Sequence, residues 1–266
     1  MRSPFRSRSE AASPGIDAEE AYRILRANLS VAMTDLENPS VIITSARPGE
    51  GKTATSVSLA RSMALTGKRV VLVDLDLRHP DAHRHIGAHN EFGVSEALRG
   101  TKPLEDCLQY VELQAPKGQE RGLYVLAAGK PVPNPTELLG SRRTARILDL
   151  LAAQADAVII DTPPILPVAD TLVIGRIVAG AVLVVESRGT PIGAIEQAKS
   201  ALIRSQTRLL GLVLNKFQPG DATMPTNYGY GYGYGYRSVE VPDDEEDEME
   251  EPDDVELENG HEDDGR

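Results

Sequence analysis

The chain has no tryptophan, only three phenylalanines and one cysteine in 266 residues. Cys107 alone cannot form an intrachain disulfide, which excludes a disulfide-stapled secreted scaffold and agrees with a reducing compartment. No apolar run reaches the roughly 18 residues that a membrane-spanning helix requires. The best candidate, TLVIGRIVAGAVLVV at 171–185, is interrupted by Arg176. The opening MRSPFRSRSE has arginines and serines but no apolar core, so it is not a secretory signal. The expected location is cytoplasmic. Tyrosine is nearly as scarce as phenylalanine outside one place: of eight tyrosines, five stand at alternate positions in NYGYGYGYGYR, residues 227–237.

The net charge of −12 is unevenly spread. From Glu240 onward there are 16 acidic residues and one arginine, so residues 1–239 carry 27 basic against 24 acidic, a net of +3. A block of like charge with little apolar content cannot offset the entropy of ordering, so 240–266 is expected to be a disordered acidic tail. Residues 1–16 are expected to be a basic flexible arm and 218–239 a flexible linker that carries the tyrosines. Nothing points to nucleic acid as a partner.

The interval 17–217 has the pattern of one α/β domain. Ala18, Ala21, Tyr22, Leu25, Leu29, Ala32, Met33 and Leu36 follow helical spacing, and Asp17 with Glu20 resembles a capping pair. Short apolar runs follow: SVIITS, RVVLVDLD, LYVLAAG, AVIIDTPP, AVLVVES and LLGLVLNK, separated by segments of helical length. Strands apolar on both faces and alternating with helices imply a mainly parallel sheet covered on both sides, a three-layer arrangement.

The first of these strands runs into ARPGEGKT and then a helix, the context required of a phosphate-binding P-loop. Pro48, Gly49, Glu50, Gly51, Lys52, Thr53 and Ala54 are the expected nucleotide-binding residues. Backbone N–H groups at the helix start cradle phosphate, Lys52 supplies positive charge, and the Thr53 hydroxyl can hold Mg²⁺. Ala46 stands where the usual pattern begins with glycine. The competing reading is a glycine-rich turn with an incidental lysine. Asp161, in AVIIDTPP, ends a strand as a Walker B carboxylate would. Asp74 and Asp76 lie two apart at another strand end and so share a face. Three carboxylates suggest that one accepts a proton while the others serve a metal. Alternatively, Asp74 and Asp76 form a strand end with a capping role.

These residues together resemble one family. The D-x-D-x-R-x-P of 74–80, the DTPP of 161–164, NPTELLGS at 134–141, the E-x-x-R-x-x-R of Glu20, Arg23 and Arg26, and the tyrosine cluster resemble the bacterial tyrosine kinases of capsule and exopolysaccharide synthesis. Those kinases are similar in fold to the MinD/ParA branch of P-loop ATPases. The resemblance implies an ATP- and Mg²⁺-dependent protein-tyrosine kinase. It implies Lys52 on the phosphates, Thr53, Asp76 and Asp161 around the metal, and Asp74 as the base toward tyrosine. Asn215 falls where this class often reads the adenine edge, or it simply ends a strand.

The resemblance further implies that Tyr228, Tyr230, Tyr232, Tyr234 and Tyr236 are phosphoacceptors, modified in trans within a homo-oligomeric ring, and that Glu20, Arg23 and Arg26 help to join its subunits. From spacing alone, Glu20 and Arg23 could equally be a solvated helix face. The implied partners are a membrane-anchored activator that recruits the kinase to the inner face of the membrane, a cognate tyrosine phosphatase, and protein substrates of polysaccharide synthesis. A MinD/ParA-like ATPase switch is the alternative, although Arg47 occupies the position of that subgroup's extra lysine. RHPDAHRHIGAHN, with four of the five histidines, lacks metal-ligand spacing and is expected to be a polar loop.

Overall fold

Strands with apolar side chains on both faces are stable only between two covering layers, and three of the expected strands are buried along their whole length. These are β1 (Ser40–Ser45), β2 (Val70–Asp74) and β5 (Ala157–Asp161). The structure, a computed structural model, describes residues 18–34, 38–115 and 119–217. The expected arm, Asp17, Leu36, the tyrosine run and the acidic tail lie outside the described residues.

The remaining strands are β3 (Leu108–Leu113), β4 (Arg121–Leu126), β6 (Gly180–Glu186) and β7 (Leu209–Asn215). The seven form one sheet in the order β3-β4-β2-β5-β1-β6-β7. Every neighbouring pair is parallel except β3 with β4, which is antiparallel and closes one edge. β3 has no counterpart among the expected strands. Its sequence, LQYVEL, is half-buried with polar Gln109 and Glu112 interposed, so it lacks the continuous apolar run of the central strands. An edge strand needs no such run because it is covered less completely.

The helices are α1 (Ala18–Met33), α2 (Lys52–Ala64), α3 (Ala82–Ile86), α4 (Val94–Arg99), α5 (Pro135–Leu139), α6 (Arg142–Gln154), α7 (Asp170–Ile174) and α8 (Ile192–Arg204). Side chains alternate across β1, so Ile42 enters one core and Val41 and Ile43 the other. The first core also takes Ala97 of α4, Leu139 of α5, Leu148 of α6, Ile174 of α7 and Leu202 of α8. The second takes Leu29 of α1, Leu59 and Met63 of α2, and Ala82 and Ile86 of α3. This is the mixed, mainly parallel three-layer sheet expected.

One expectation is corrected here. The histidine-rich segment is not simply a polar loop, because five of its residues form α3. Ala82 and Ile86 are four apart and buried in the second core, and the Asp74 carboxylate accepts the backbone N–H of Ala82 at the helix start. Four histidines conceal those two apolar anchors. Among the described residues no group of three or more His, Cys, Asp or Glu side chains is arranged to hold a metal ion.

Candidate nucleotide and catalytic site

β1 delivers the chain into the P-loop, and α2 begins at Lys52. Gly49 and Gly51 have φ of +84° and +93°, a left-handed backbone that a Cβ would strain. A Cβ on Gly51 would also lie 2.0 Å from Nδ2 of Asn215. Glycine is therefore required at position 51 on two counts. Ala54 lies in the first turn of α2, where backbone N–H groups have no intrahelical acceptor and can face an anion.

Glu50 was expected among the nucleotide-binding residues, but its side chain turns inward. It is 3% exposed, and its carboxylate accepts the backbone N–H of Arg47 at 2.9 Å and the Thr190 hydroxyl at 2.6 Å. Asn215, at the end of β7, donates from Nδ2 to the carbonyl of Glu50 at 3.0 Å. Both residues thus hold the loop's shape, with the Glu50 carboxylate engaged by protein groups. The Ser45 hydroxyl adds a bond to the carbonyl of Arg47 at 2.8 Å.

Two carboxylates meet Lys52, and the charge of a third, Asp74, also acts on it. Its Nζ lies 2.8 Å from Oδ2 of Asp76 and 3.7 Å from Oδ2 of Asp161. Burial disfavours the lysine's charged form, but Asp161, Asp76 and Asp74 outweigh it and raise the Lys52 pKa, so the ammonium stays charged. Thr53 donates its hydroxyl to Oδ2 of Asp161 at 2.7 Å, and Ser56 donates to Oδ1 at 3.0 Å. Ser56 was not foreseen. Its signal was present, since it lies three residues after Thr53 and therefore on the same face of α2.

Asp74 and Asp161 are fully buried, and Asp76 is 2% exposed. Burial lifts the Asp161 carboxyl above its ordinary value, against the pull of Lys52, Thr53 and Ser56. Asp74 is raised well above the usual range, first by burial and then by the charge of Asp161. Its two oxygens accept the backbone N–H groups of Asp76 at 3.0 Å and Ala82 at 3.2 Å. Asp76 accepts the N–H of His79 at 3.0 Å, which turns the chain after β2.

The motif residues downstream serve this turn. Arg78 grips the fully buried Asp170 with Nε at 2.7 Å and a second nitrogen at 3.1 Å. Thr136 of the NPTELLGS stretch receives a bond from the same guanidinium at 3.1 Å and gives its own hydroxyl to Asp170. Asp170 carried no signal in the sequence. Thr44 and Thr171 both donate to the carbonyl of Pro163, at 2.9 and 2.8 Å, and so fasten the turn after Asp161.

The α1 motif divides. Glu20 and Arg23 are exposed and pair with each other at 3.0 Å. Arg26 turns toward α2, where it donates to the carbonyl of Ser62 at 2.9 Å.

A P-loop at the carboxyl end of a mainly parallel sheet, with strand-end aspartates around its lysine, defines a nucleotide-binding site of the P-loop NTPase class. The CobQ/CobB/MinD/ParA nucleotide-binding domain matches residues 41–230. Tyrosine-protein kinase YwqD of Bacillus subtilis is 39% identical over 196 residues, 74% of this chain and 80% of that protein. Tyrosine-protein kinase etk of Escherichia coli is 35% identical over 203 residues, 76% of this chain but only 27% of that longer protein. The solved kinase domain of Escherichia coli ETK superposes with a TM-score of 0.71 at 35% identity, covering 81% of this chain and 80% of that one. A Pyrococcus furiosus MinD structure, at 23% identity and a TM-score of 0.53, shares the fold. The chain belongs to the bacterial tyrosine kinases within the CobQ/CobB/MinD/ParA family.

Proposed function

We propose that the chain transfers the γ-phosphoryl group of ATP to tyrosine hydroxyls, including the C-terminal tyrosine run of a neighbouring copy. The observation that carries this reading is the convergence of Lys52, Thr53, Asp76 and Asp161 at the mouth of a P-loop, in a chain that also bears five clustered tyrosines. The donor set is all oxygen, a hydroxyl and two carboxylates, which suits Mg²⁺ shared with phosphate oxygens. Bound Mg²⁺ would neutralise charge on the β- and γ-phosphates.

In this mechanism the loop backbone and the start of α2 orient the phosphates, and Lys52 turns its ammonium from the carboxylates to the transferring group. The tyrosine oxygen forms the new bond to phosphorus as the bond to the β-phosphate oxygen breaks, leaving ADP. The tyrosyl proton goes to Asp74, the carboxylate whose raised proton affinity suits a base. A second reading rests on the complete burial of Asp74 and its two backbone hydrogen bonds, which fit a positioning carboxylate that holds α3 to the end of β2.

Geometry permits transfer in trans. From Lys216 to Tyr228 is 12 residues, which can span up to roughly 40 Å. Glycine beside every tyrosine lets the peptide take whatever backbone a shallow site demands. Glycine at every second position would weaken an isolated strand, which favours the run as substrate over the run as scaffold. Glu20, Arg23 and Arg26 join subunits in a ring, and the kinase works in the cytoplasm at the inner membrane face with a membrane-anchored activator. Its phosphotransfer is reversed by a tyrosine phosphatase and regulates exopolysaccharide or capsule synthesis or export. The kinase names of the relatives support this reading, as does the lack, among the described residues, of any helix long and apolar enough to cross a membrane.

Intact mass after incubation with Mg²⁺-ATP tests the proposal. Added phosphate units, absent from Lys52→Met, are expected. Unmodified mass with ADP released supports the ATPase switch instead, and persistent labelling of purified Lys52→Met overturns the kinase assignment.

A further inference from the structure

A groove of about 480 Å³ lies between the end of α4 and the first half of α6. Its apolar lining includes the buried Ala97 and Ile147 with Leu104, and Lys102, Arg142, Arg143 and Arg146 also line it. The three arginines are exposed and make no ion pair among the described residues, although Asp149 lies one turn beyond Arg146 on the same helix. Lys102 sits with its ammonium 4.1 Å from the centre of the Phe92 ring. Gly100, at φ +73°, leaves room for the Arg143 guanidinium, because a Cβ there would stand 2.7 Å from it. Four cations beside an apolar lining, without matching carboxylates, form a surface for an anionic peptide.

The groove's position in the fold adds to this. α6 connects β4 to the parallel β5, so it starts at the rim formed by the carboxyl ends of the parallel strands. The P-loop follows β1 at the same rim. Thr136, six residues before Arg142, bonds Arg78 in the turn after β2.

We propose that this groove binds the acidic segment 240–266 of a second copy of the chain, a docking that rests on the trans presentation of the tyrosine run. The charges are opposite in sign: 16 acidic residues and one arginine face four cations that have no ion pair among the described residues. Position agrees as well. Glu240 is the fourth residue after Tyr236, up to about 14 Å of extended chain, so a copy that offers a tyrosine to the P-loop holds the start of its acidic segment at the rim where α6 begins. Docking there raises the effective concentration of the tyrosines at the site without any contact to the tyrosines themselves.

Zero-length carbodiimide coupling of the full chain, as an equal mixture of light and ¹⁵N-labelled protein without ATP, tests this. Carboxylates of 240–266 are expected to link to Lys102 in mixed-isotope pairs. The yield should fall at least about fivefold between about 0.05 and 0.5 M salt, since exposed charge pairs are screened. Replacing Arg142, Arg143 and Arg146 together by alanine should lower it similarly, with the thermal melt confirming the fold. If that variant fails to fold, the salt and isotope arms on the wild-type chain decide. Links confined to single chains, links spread evenly over Lys68, Lys130 and Lys199, or a yield unmoved by salt each overturn the proposal. No phosphotransfer is involved, so loss of kinase activity and loss of the link are separate results.

Discussion

Nδ2 of Asn215, the last residue of β7, donates 3.0 Å to the carbonyl of Glu50, and it fills the space that a Cβ on Gly51 would need. The edge strand thereby sets the shape of a loop that begins two strands away. Gly51→Ala meets both this contact and a φ of +93°. It is expected to weaken nucleotide binding at least about tenfold, roughly 1.4 kcal/mol, measured by titration with a fluorescent ATP analogue. Gly49→Ala, where nothing lies within 4 Å, carries the backbone strain alone and should lose less.

Asp74 gives a pH prediction. Its folded pKa lies well above the ordinary 3.8, so between those two values the unfolded chain has released a proton that the fold still holds. Stability from this group is complete below the ordinary value and is lost as pH rises through the folded one. Urea titrations across pH without Mg²⁺ should show stability falling by up to about 1.4 kcal/mol per pH unit within that window. Asp74→Asn should flatten the slope, whatever it does to the absolute value by losing one backbone acceptor. Parallel slopes for the two proteins would count against a raised Asp74.

The same variant sorts the two roles of Asp74. As the base, its loss lowers kcat and leaves nucleotide affinity near the wild-type value. As a positioning carboxylate, its loss weakens nucleotide binding and stability together. Single-turnover phosphotransfer beside ATP titration separates these patterns.

Arg78→Ala strands the fully buried carboxylate of Asp170 and removes a bond to Thr136. Truncating one partner of a buried pair is strongly destabilising, and here the guanidinium is 36% exposed, so a loss of about 2 kcal/mol is expected in urea unfolding. Arg78→Lys recovers only part, because an ammonium cannot reproduce the two parallel bonds.

On α1 the two arginines should behave differently. Arg26→Ala removes a bond to Ser62 that fastens α1 to α2 and should cost about 1 kcal/mol of subunit stability. Arg23→Ala breaks two exposed pairs, with Glu19 and Glu20, each worth at most about 0.5 kcal/mol, so any fall in oligomer size by light scattering reports an interface. Unchanged size for Arg23→Ala and Glu20→Ala together would remove those two residues from subunit contacts.

Much of this site was legible because its signals are local. A P-loop is a strand, a glycine-bearing turn and a helix in immediate succession, so order along the chain is nearly order in space, and Lys52 and Thr53 could be named from it; Asp161 was named from its own place at the end of an apolar strand. β3 escaped because an edge strand does not need an unbroken apolar run, and α3 because its two buried residues are hidden among histidines. Glu50 was read by its place in a motif, whereas its direction depends on Thr190, 140 residues on.

The sequence by itself determined the class of fold, the phosphate loop and the presence of three strand-end carboxylates, since these follow from periodicity and from residue types that only one backbone conformation suits. Tertiary structure alone decided which carboxylate meets Lys52, that Asp170 holds Arg78, and that Asn215 braces Gly51. Such pairings join residues far apart in the chain, 165 in the case of the Asn215 bond to the Glu50 carbonyl, and a distance of that kind has no periodicity to announce it. It is set by strand order, which brings the ends of β1, β2 and β5 together and seals them from water, where an unpaired charge is too costly to persist.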